Sequence, residues 1–218
     1  LNKLGCNIFK TSSADIVDLE LHACLAKTKK TVIISTGMST IEEIKKCIEI
    51  YKKHSNKNYI LLHCVSNYPC SLKSLNLKAI SLMQKKFKCH VGFSDHSIGH
   101  DAAKISVSLG ARIIEKHITL NREKKGLDYF SALNPNEFLS LVSLIKKSQI
   151  AIGKKSFELG KNELQYRILH KKNAISKKIL KKNTIINESM LEFKRTKLKK
   201  EPLSLNNIVG RKCIKDIP

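Results

Sequence analysis

Residues 31–63 read TVIISTGMSTIEEIKKCIEIYKKHSNKNYILLH. Two unbroken apolar runs, Thr31–Ser35 and Tyr59–His63, flank a helix-length segment. The first run is rich in β-branched residues, as strands prefer. Ser39 stands where an N-cap belongs, with Glu42 and Glu43 in the first turn, where carboxylates favour the helix dipole. The spacing predicts strand, helix to about Lys53, strand: one βαβ unit.

The same alternation extends both ways. Upstream, Cys6–Lys10 reads as a strand and Ile16–Ala26 as a helix. Downstream, a helix near Leu75–Lys86 precedes a strand at His90–Phe93. A helix near Gly99–Leu109 then precedes a strand at Arg112–Glu115. Asn134 caps a helix through about Ile150. The strands show no polar alternation, the pattern of parallel strands covered on both faces. Neither G-x-G-x-x-G nor a Walker sequence follows any strand, which disfavours a doubly wound nucleotide fold and favours a TIM barrel. Five strand–helix units precede residue 150, whereas a closed barrel has eight. Residue 1 is Leu rather than Met. The expectation is an α/β chain carrying about five of eight barrel units, with an N-terminal part lacking. Five strands alone would leave two open edges, so residues 1–218 by themselves are expected to be poorly soluble.

Beyond the barrel part (1–152) the texture changes. Residues 153–165 read as a linker. Residues 166–218 read as a small, mostly β module, with pieces at Asn173–Ser176, Thr184–Ile186, Leu191–Arg195 and Ile208–Ile214.

Composition narrows the function classes. Of 218 residues, 42% are hydrophobic and 27% charged, enough for a core and too much for general disorder. No uncharged apolar run reaches the roughly 18 residues of a membrane span, and no leader is evident. The seven cysteines are scattered and form no C-x-x-C, consistent with reduced thiols in a cytoplasmic protein. Lys plus Arg is 41 against 18 acidic residues, a net +23. About half of it lies in 151–218, where 18 basic residues face 6 acidic ones. The basic residues are overwhelmingly Lys, while bidentate phosphate and base reading favours Arg, so a solvated lysine surface is preferred over a specific nucleic-acid face.

Each candidate strand ends in polar or reactive residues: Lys10 with Ser13 and Asp15; Ser35 with Thr36 and Gly37; His63 with Ser66, Asn67 and Tyr68; Ser94, Asp95 and His96; and Glu115, Lys116 and His117. In a barrel these ends meet on one face. His96 and His117, on adjacent strands, either share a divalent cation or each donate to a buried carbonyl. Asp95 and Glu115 are either orienting partners or turn residues. Lys10 with Ser13, Ser35, Ser66 and Ser94 offers a cation and several hydroxyls, a set that suits phosphate.

FKTSSAD (9–15), VIISTGMSTIEEI (32–44), LLHCVSNYP (61–69), VGFSDHSIG (91–99) and IIEKHITL (113–120) together resemble the sialic acid synthase family, the N-acetylneuraminate, legionaminate and pseudaminate synthases. The tail with FKRTK and VGRK resembles that family's antifreeze-like (SAF) domain. The resemblance implies a TIM barrel followed by a SAF domain, and condensation of phosphoenolpyruvate with an N-acetylated hexosamine to a nine-carbon 2-keto acid with release of phosphate. It implies a divalent metal, Mn2+ or Mg2+, on His96 and His117. It implies phosphoenolpyruvate contacts from Lys10, Ser13, Ser35, Ser66 and Ser94, with Tyr68 in the same pocket. Asp15 and Asp128 match acidic positions that contact the sugar. Arg195 matches a basic residue reaching the partner subunit's active site in a domain-swapped homodimer. Asp15 stands where the family commonly has Glu, and Asp128-Tyr129 where it often has an acid-His pair. Competing expectations are an aldol-type synthase acting on a sugar phosphate, and an inactive chain that binds polyanions.

Overall fold

The computed structural model describes residues 1–197, 200–203 and 205–218. They divide into two compact units, Leu1–Gly153 and Lys154–Pro218.

In the first unit β1 (Ile8–Thr11), β2 (Thr31–Ser35), β3 (Tyr59–Cys64), β4 (His90–Asp95) and β5 (Ile114–Lys116) form one sheet. The strands pair in chain order and all in parallel. Sequential order is what a curling barrel wall requires; a doubly wound sheet reverses direction at a switch point. The result is a curled five-stranded half-barrel. Four helices, α1 (Leu19–Lys27), α2 (Ile41–Lys53), α3 (Ala79–Phe87) and α4 (Asp101–Ser108), form the crossovers, and α5 (Pro135–Ile152) follows β5.

Side chains alternate between two faces of each strand. Phe9, Val32, Ile34, Leu61, Val91 and Phe93 point to the helices and bury with Ile44, Ile48, Tyr51, Ile80 and Met83 in one core. Each such apolar side chain contributes roughly 1.5–3 kcal/mol on burial. The intervening positions, Lys10, Ile33, Ser35, Cys64, Ser94 and Glu115, belong to the concave face.

Local chemistry moves some boundaries. The cap of α2 is Thr40, not Ser39: Thr40 Oγ1 accepts from Glu43 N at 3.2 Å and Glu43 Oε2 accepts from Thr40 N at 2.7 Å. This is a capping box. Ser39 instead donates to the Gly37 carbonyl at 3.0 Å. The segment read as a helix from Ile16 breaks in two. A 3₁₀ turn, Ala14–Val17, precedes α1, whose N-cap Asp18 accepts from Leu21 N at 2.9 Å. Asn134 does precede α5, and its N–H donates to Glu137 Oε2 at 2.8 Å.

The second unit contains α6 (Lys161–His170) and an antiparallel pair, β6 (Asn173–Ser176) with β7 (Leu191–Lys194). Leu180, Ile186 and Cys213 form its core, joined by Met190, Leu191, Ile208 and Ile217. Single bridges link Leu180 to Ile217 and Ile185 to Lys212. Residues 161–165, read as linker, and 166–170, read as part of a β module, are therefore helical. α6 buries none of its residues, so no apolar stripe marked it in the sequence. The stretch Ile208–Ile214 forms no regular strand: it turns at Ile208–Gly210 and then runs beside Thr184–Ile186, with Ile186 N donating to the Arg211 carbonyl and Cys213 N to the Thr184 carbonyl, both at 2.9 Å.

Candidate functional site

The carboxyl ends of β1–β5 carry a connected polar cluster. Lys10 Nζ, from β1, lies 3.4 Å from Glu115 Oε2, from β5. Glu115 Oε1 accepts from Ser94 Oγ at 2.7 Å. Cys64, Ser94 and Glu115 stand side by side in the pairing of β3, β4 and β5.

His96 follows β4 and is fixed at several points. Its ring Nδ1 lies 2.9 Å from the Val65 carbonyl, and its own carbonyl accepts from Ser131 Oγ at 2.8 Å and Cys70 N at 2.9 Å. A carbonyl only accepts, so Nδ1 carries the proton. Burial holds the imidazole pKa below its ordinary value, so the neutral ring presents Nε2 as a lone pair. Ser94 Oγ is 3.4 Å from Nε2, but its single proton goes to Glu115, leaving Nε2 without a donor. The His117 ring centre lies 5.3 Å from that of His96. With metal–nitrogen bonds of about 2.1 Å, two imidazoles on one ion have ring centres on the order of 5 Å apart. The pair therefore fits a shared divalent cation. Among the described residues no third His, Cys, Asp or Glu completes the set. Other ligands would come from substrate or water.

Tyr68 lies against both imidazoles, 4.1 Å from the His96 ring and 5.8 Å from His117 between centres. Burial first, then the nearby Cys64, Asp128 and Glu115, hold its phenol above the usual pKa. Asp128 thus belongs to the neighbourhood of Tyr68. The loop carrying it is anchored by Arg122, which donates to the Ala132 carbonyl at 3.1 Å and to Glu137 Oε1 at 2.9 Å.

Beside the imidazoles is a small cradle. Gly37 N donates to Ser13 Oγ at 3.0 Å. A Cβ on Gly37 would stand 2.4 Å from Ser66 Oγ, 2.8 Å from Ser13 Oγ and 3.2 Å from Cys64 Sγ. Only glycine lets two hydroxyls approach the backbone this closely. Cys64 Sγ also lies 3.8 Å from His96 Nδ1, joining cradle and imidazoles. Ser35 is buried at the end of β2 on the same concave face.

Of the residues singled out in the sequence, Lys10, Ser13, Ser66, Tyr68, Ser94, His96 and His117 are thus linked through direct contacts. Asp15 is half-buried, and its carboxylate accepts from Ser12 N and Ser12 Oγ, both at 2.8 Å. Those bonds hold its pKa below the ordinary range. Arg195 lies in the second unit, beside a depression of about 420 Å³ shared with Glu163, Tyr166 and Arg167. His63, a strand-end candidate, turns to the helix side. It sits 2.7 Å from the Leu75 carbonyl and stacks on Phe93. It is a core histidine, because its position in β3 is one residue out of phase with Cys64. Asp95 does not orient His96 through its ring; it pairs with Lys116 at 3.1 Å. The sequence marks Gly37 only as a strand-end residue and does not mark Cys64 at all, since their part in the cradle arises only when three strand ends meet.

A cavity of about 900 Å³ lies at the opposite strand ends, with Lys52, Lys57, Lys86, Lys88 and His90 in its lining. Lys52 and Lys86 belong to the last turns of α2 and α3, where the helix dipole favours cations. It lies away from the strand-tip cluster.

A parallel half-barrel whose reactive side chains gather at the carboxyl ends of its strands is a protein of the TIM-barrel class. The chain belongs to the NeuB family, whose model matches residues 1–157. It is 37% identical over 197 residues to the N,N'-diacetyllegionaminic acid synthase of Campylobacter jejuni subsp. jejuni serotype O:2, covering 89% of this chain and 59% of that protein. It is 31% identical to the human N-acetylneuraminate-9-phosphate synthase, over 98% of this chain and 60% of that one. The crystal structure of an N-acetylneuraminic acid synthetase from Leptospira borgpetersenii serovar Hardjo-bovis, in complex with citrate, superposes with a TM-score of 0.72 at 35% identity, covering 77% of this chain and 59% of that one. The chain therefore spans about three fifths of the length of these relatives. No helix among the described residues is long and apolar enough to cross a membrane.

Proposed function

We propose that this sequence forms the greater part of a synthase that condenses phosphoenolpyruvate with an N-acetylated hexosamine, N-acetylmannosamine-like, to a nine-carbon 2-keto acid with release of phosphate. The observation that carries the reading is the cradle of Ser13, Ser66 and Gly37 beside two imidazoles 5.3 Å apart. A phosphate needs hydroxyl donors and a cation, and Lys10 stands on the same face. An aldehyde needs its oxygen polarised, and His96 and His117 are the residues that would hold Mn2+ or Mg2+ for that purpose. Such a cation acts as a Lewis acid on the carbonyl.

The protein's own side chains then supply orientation. Lys10, Ser13, Ser35, Ser66 and Ser94 hold the phosphoenolpyruvate anion so that its C3 faces the aldehyde carbon. A new C–C bond forms as the aldehyde C=O π pair moves onto oxygen, which takes up a proton, and C2 becomes electron-deficient. Water adds at C2 and gives up a proton; phosphate then departs with the C2–O electron pair as the new hydroxyl gives up its remaining proton and becomes the keto group. Holding both reactants in contact is worth several kcal/mol of barrier. Tyr68 packs against the reacting region, and Asp15 and Asp128 accept hydrogen bonds from sugar hydroxyls. Asp15 is one methylene shorter than the glutamate common in the family. The C-terminal unit serves as a SAF domain, and Arg195 reaches the site of the other subunit in a domain-swapped homodimer.

The test is phosphate release from phosphoenolpyruvate by the complete gene product with N-acetylmannosamine and with diacetamido hexoses. Turnover that survives His117→Ala unimpaired would refute the assignment. The human relative is named as a 9-phosphate synthase. A parallel assay with the 6-phosphorylated sugar separates an acceptor of that kind from a neutral one.

A further inference from the structure

A charged pair lies beneath the site, on the helix side of the sheet. Asp95 and Lys116 are register partners on β4 and β5. Lys116 Nζ lies 3.1 Å from Asp95 Oδ2, and the two side chains are 1% and 0% exposed. Each immediately precedes one of the two site imidazoles, His96 and His117. Strand alternation turns these charges away from the concave face, so neither can touch a ligand bound there.

Their other bonds all go to the turn that carries His96. Asp95 Oδ1 accepts from Ser97 N at 2.8 Å and from Ser97 Oγ at 2.7 Å, and Lys116 Nζ donates to the Ser97 carbonyl. The backbone just after His96 is thus gripped at Ser97 by a pair whose first member precedes His96 and whose second precedes His117 in the chain. Stability alone is a weak reason for such a pair, because two well-packed apolar side chains would do as well. What an apolar pair could not do is tie the Ser97 peptide to β5.

Resting on the reading that His96 and His117 share a divalent cation, we propose that Asp95 and Lys116 are positioning residues that set the separation of the two imidazoles. The function belongs to the pair: its ionic and hydrogen bonds fix where β4 ends relative to β5, and hence where the two rings meet.

The experiment measures Mn2+ affinity by electron paramagnetic resonance, and thermal midpoints, on the complete gene product. The variants are Asp95→Asn, Lys116→Met and the double substitution. Each single change strands a buried polar partner and lowers the midpoint. The double change removes both charges, and its midpoint returns toward that of the unmodified protein. Its Mn2+ affinity nevertheless stays at least about 10-fold weaker, the scale of losing support behind a metal ligand. A double variant that melts normally and binds Mn2+ as the unmodified protein does would overturn the proposal. If the double variant does not fold, Ser97→Ala decides. It removes one bond of the grip, so weakened Mn2+ binding supports the proposal and unchanged affinity overturns it. An unmodified protein that binds no Mn2+ would instead overturn the shared-cation reading, and this inference with it.

Discussion

Lys10 Nζ and Glu115 Oε2 are 3.4 Å apart although they come from the first and fifth strands of the sheet. Four strand spacings in a flat sheet amount to about 19 Å. The two side chains could not bridge that distance, so their contact records the curl of the wall. It also closes a ring of polar groups around the concave face. Glu115 passes the link to Ser94, and Ser94 to the edge of the His96 ring.

That ion pair is 38% exposed at both ends, so it adds little to stability. Exposed pairs are worth at most about 1 kcal/mol. Lys10→Met should leave the thermal midpoint within a few degrees while raising KM for phosphoenolpyruvate at least about tenfold, the loss of a charge-assisted contact. Unchanged KM would remove Lys10 from the anion site.

Gly37 tests the cradle on steric grounds alone. Gly37→Ala would place a methyl 2.4 Å from Ser66 Oγ and 2.8 Å from Ser13 Oγ. Both hydroxyls must swing away. Titration calorimetry should show phosphoenolpyruvate affinity falling at least about tenfold, because two donors of roughly 1 kcal/mol each are displaced. The far-ultraviolet dichroism should stay as it was.

Arg122 should act on one substrate only. It holds the loop of Asp128 through the Ala132 carbonyl and Glu137. Arg122→Met should raise KM for the amino sugar by about 5- to 30-fold, on the order of 1–2 kcal/mol for lost charge-assisted bonds. The KM for phosphoenolpyruvate should hold. Steady-state kinetics with each substrate varied in turn gives the answer, and equal rises in both constants would contradict it.

Two core histidines set a pH limit. His22 bonds Tyr51 OH at 2.9 Å and His63 the Leu75 carbonyl, and burial lowers both pKa values below 6.5. A base with a depressed folded pKa takes up its proton more readily when unfolded, so stability rises with pH in this window. Their contribution is fully present above about pH 6.5. It is lost as pH falls through the folded values. Urea midpoints measured from pH 7.5 to 5 should decline, and His63→Gln, which can still donate to Leu75, should flatten the slope. A slope unaltered by that change would show that His63 does not titrate with unfolding.

The boundaries show how far local pattern reaches. Thr40 rather than Ser39 caps α2, although both stand three residues before a glutamate. The choice falls to the register in which Ile44, Cys47, Ile48 and Tyr51 bury together. α6 escaped notice because it packs no side chain into a core. His63 looked like its neighbours at other strand ends, yet a single step in pleat phase puts it among the helices.

The order of strand and helix, and the presence of polar residues after every strand, are written in the sequence, because apolar runs and caps act over a few residues. Which of those residues share one pocket is not. The meeting of Lys10 with Glu115, the crowding of Ser13 and Ser66 over Gly37, and the turning of Asp95 and Lys116 to the far face follow from curl and pleat phase. Those are properties of five paired strands together, and no single segment encodes them.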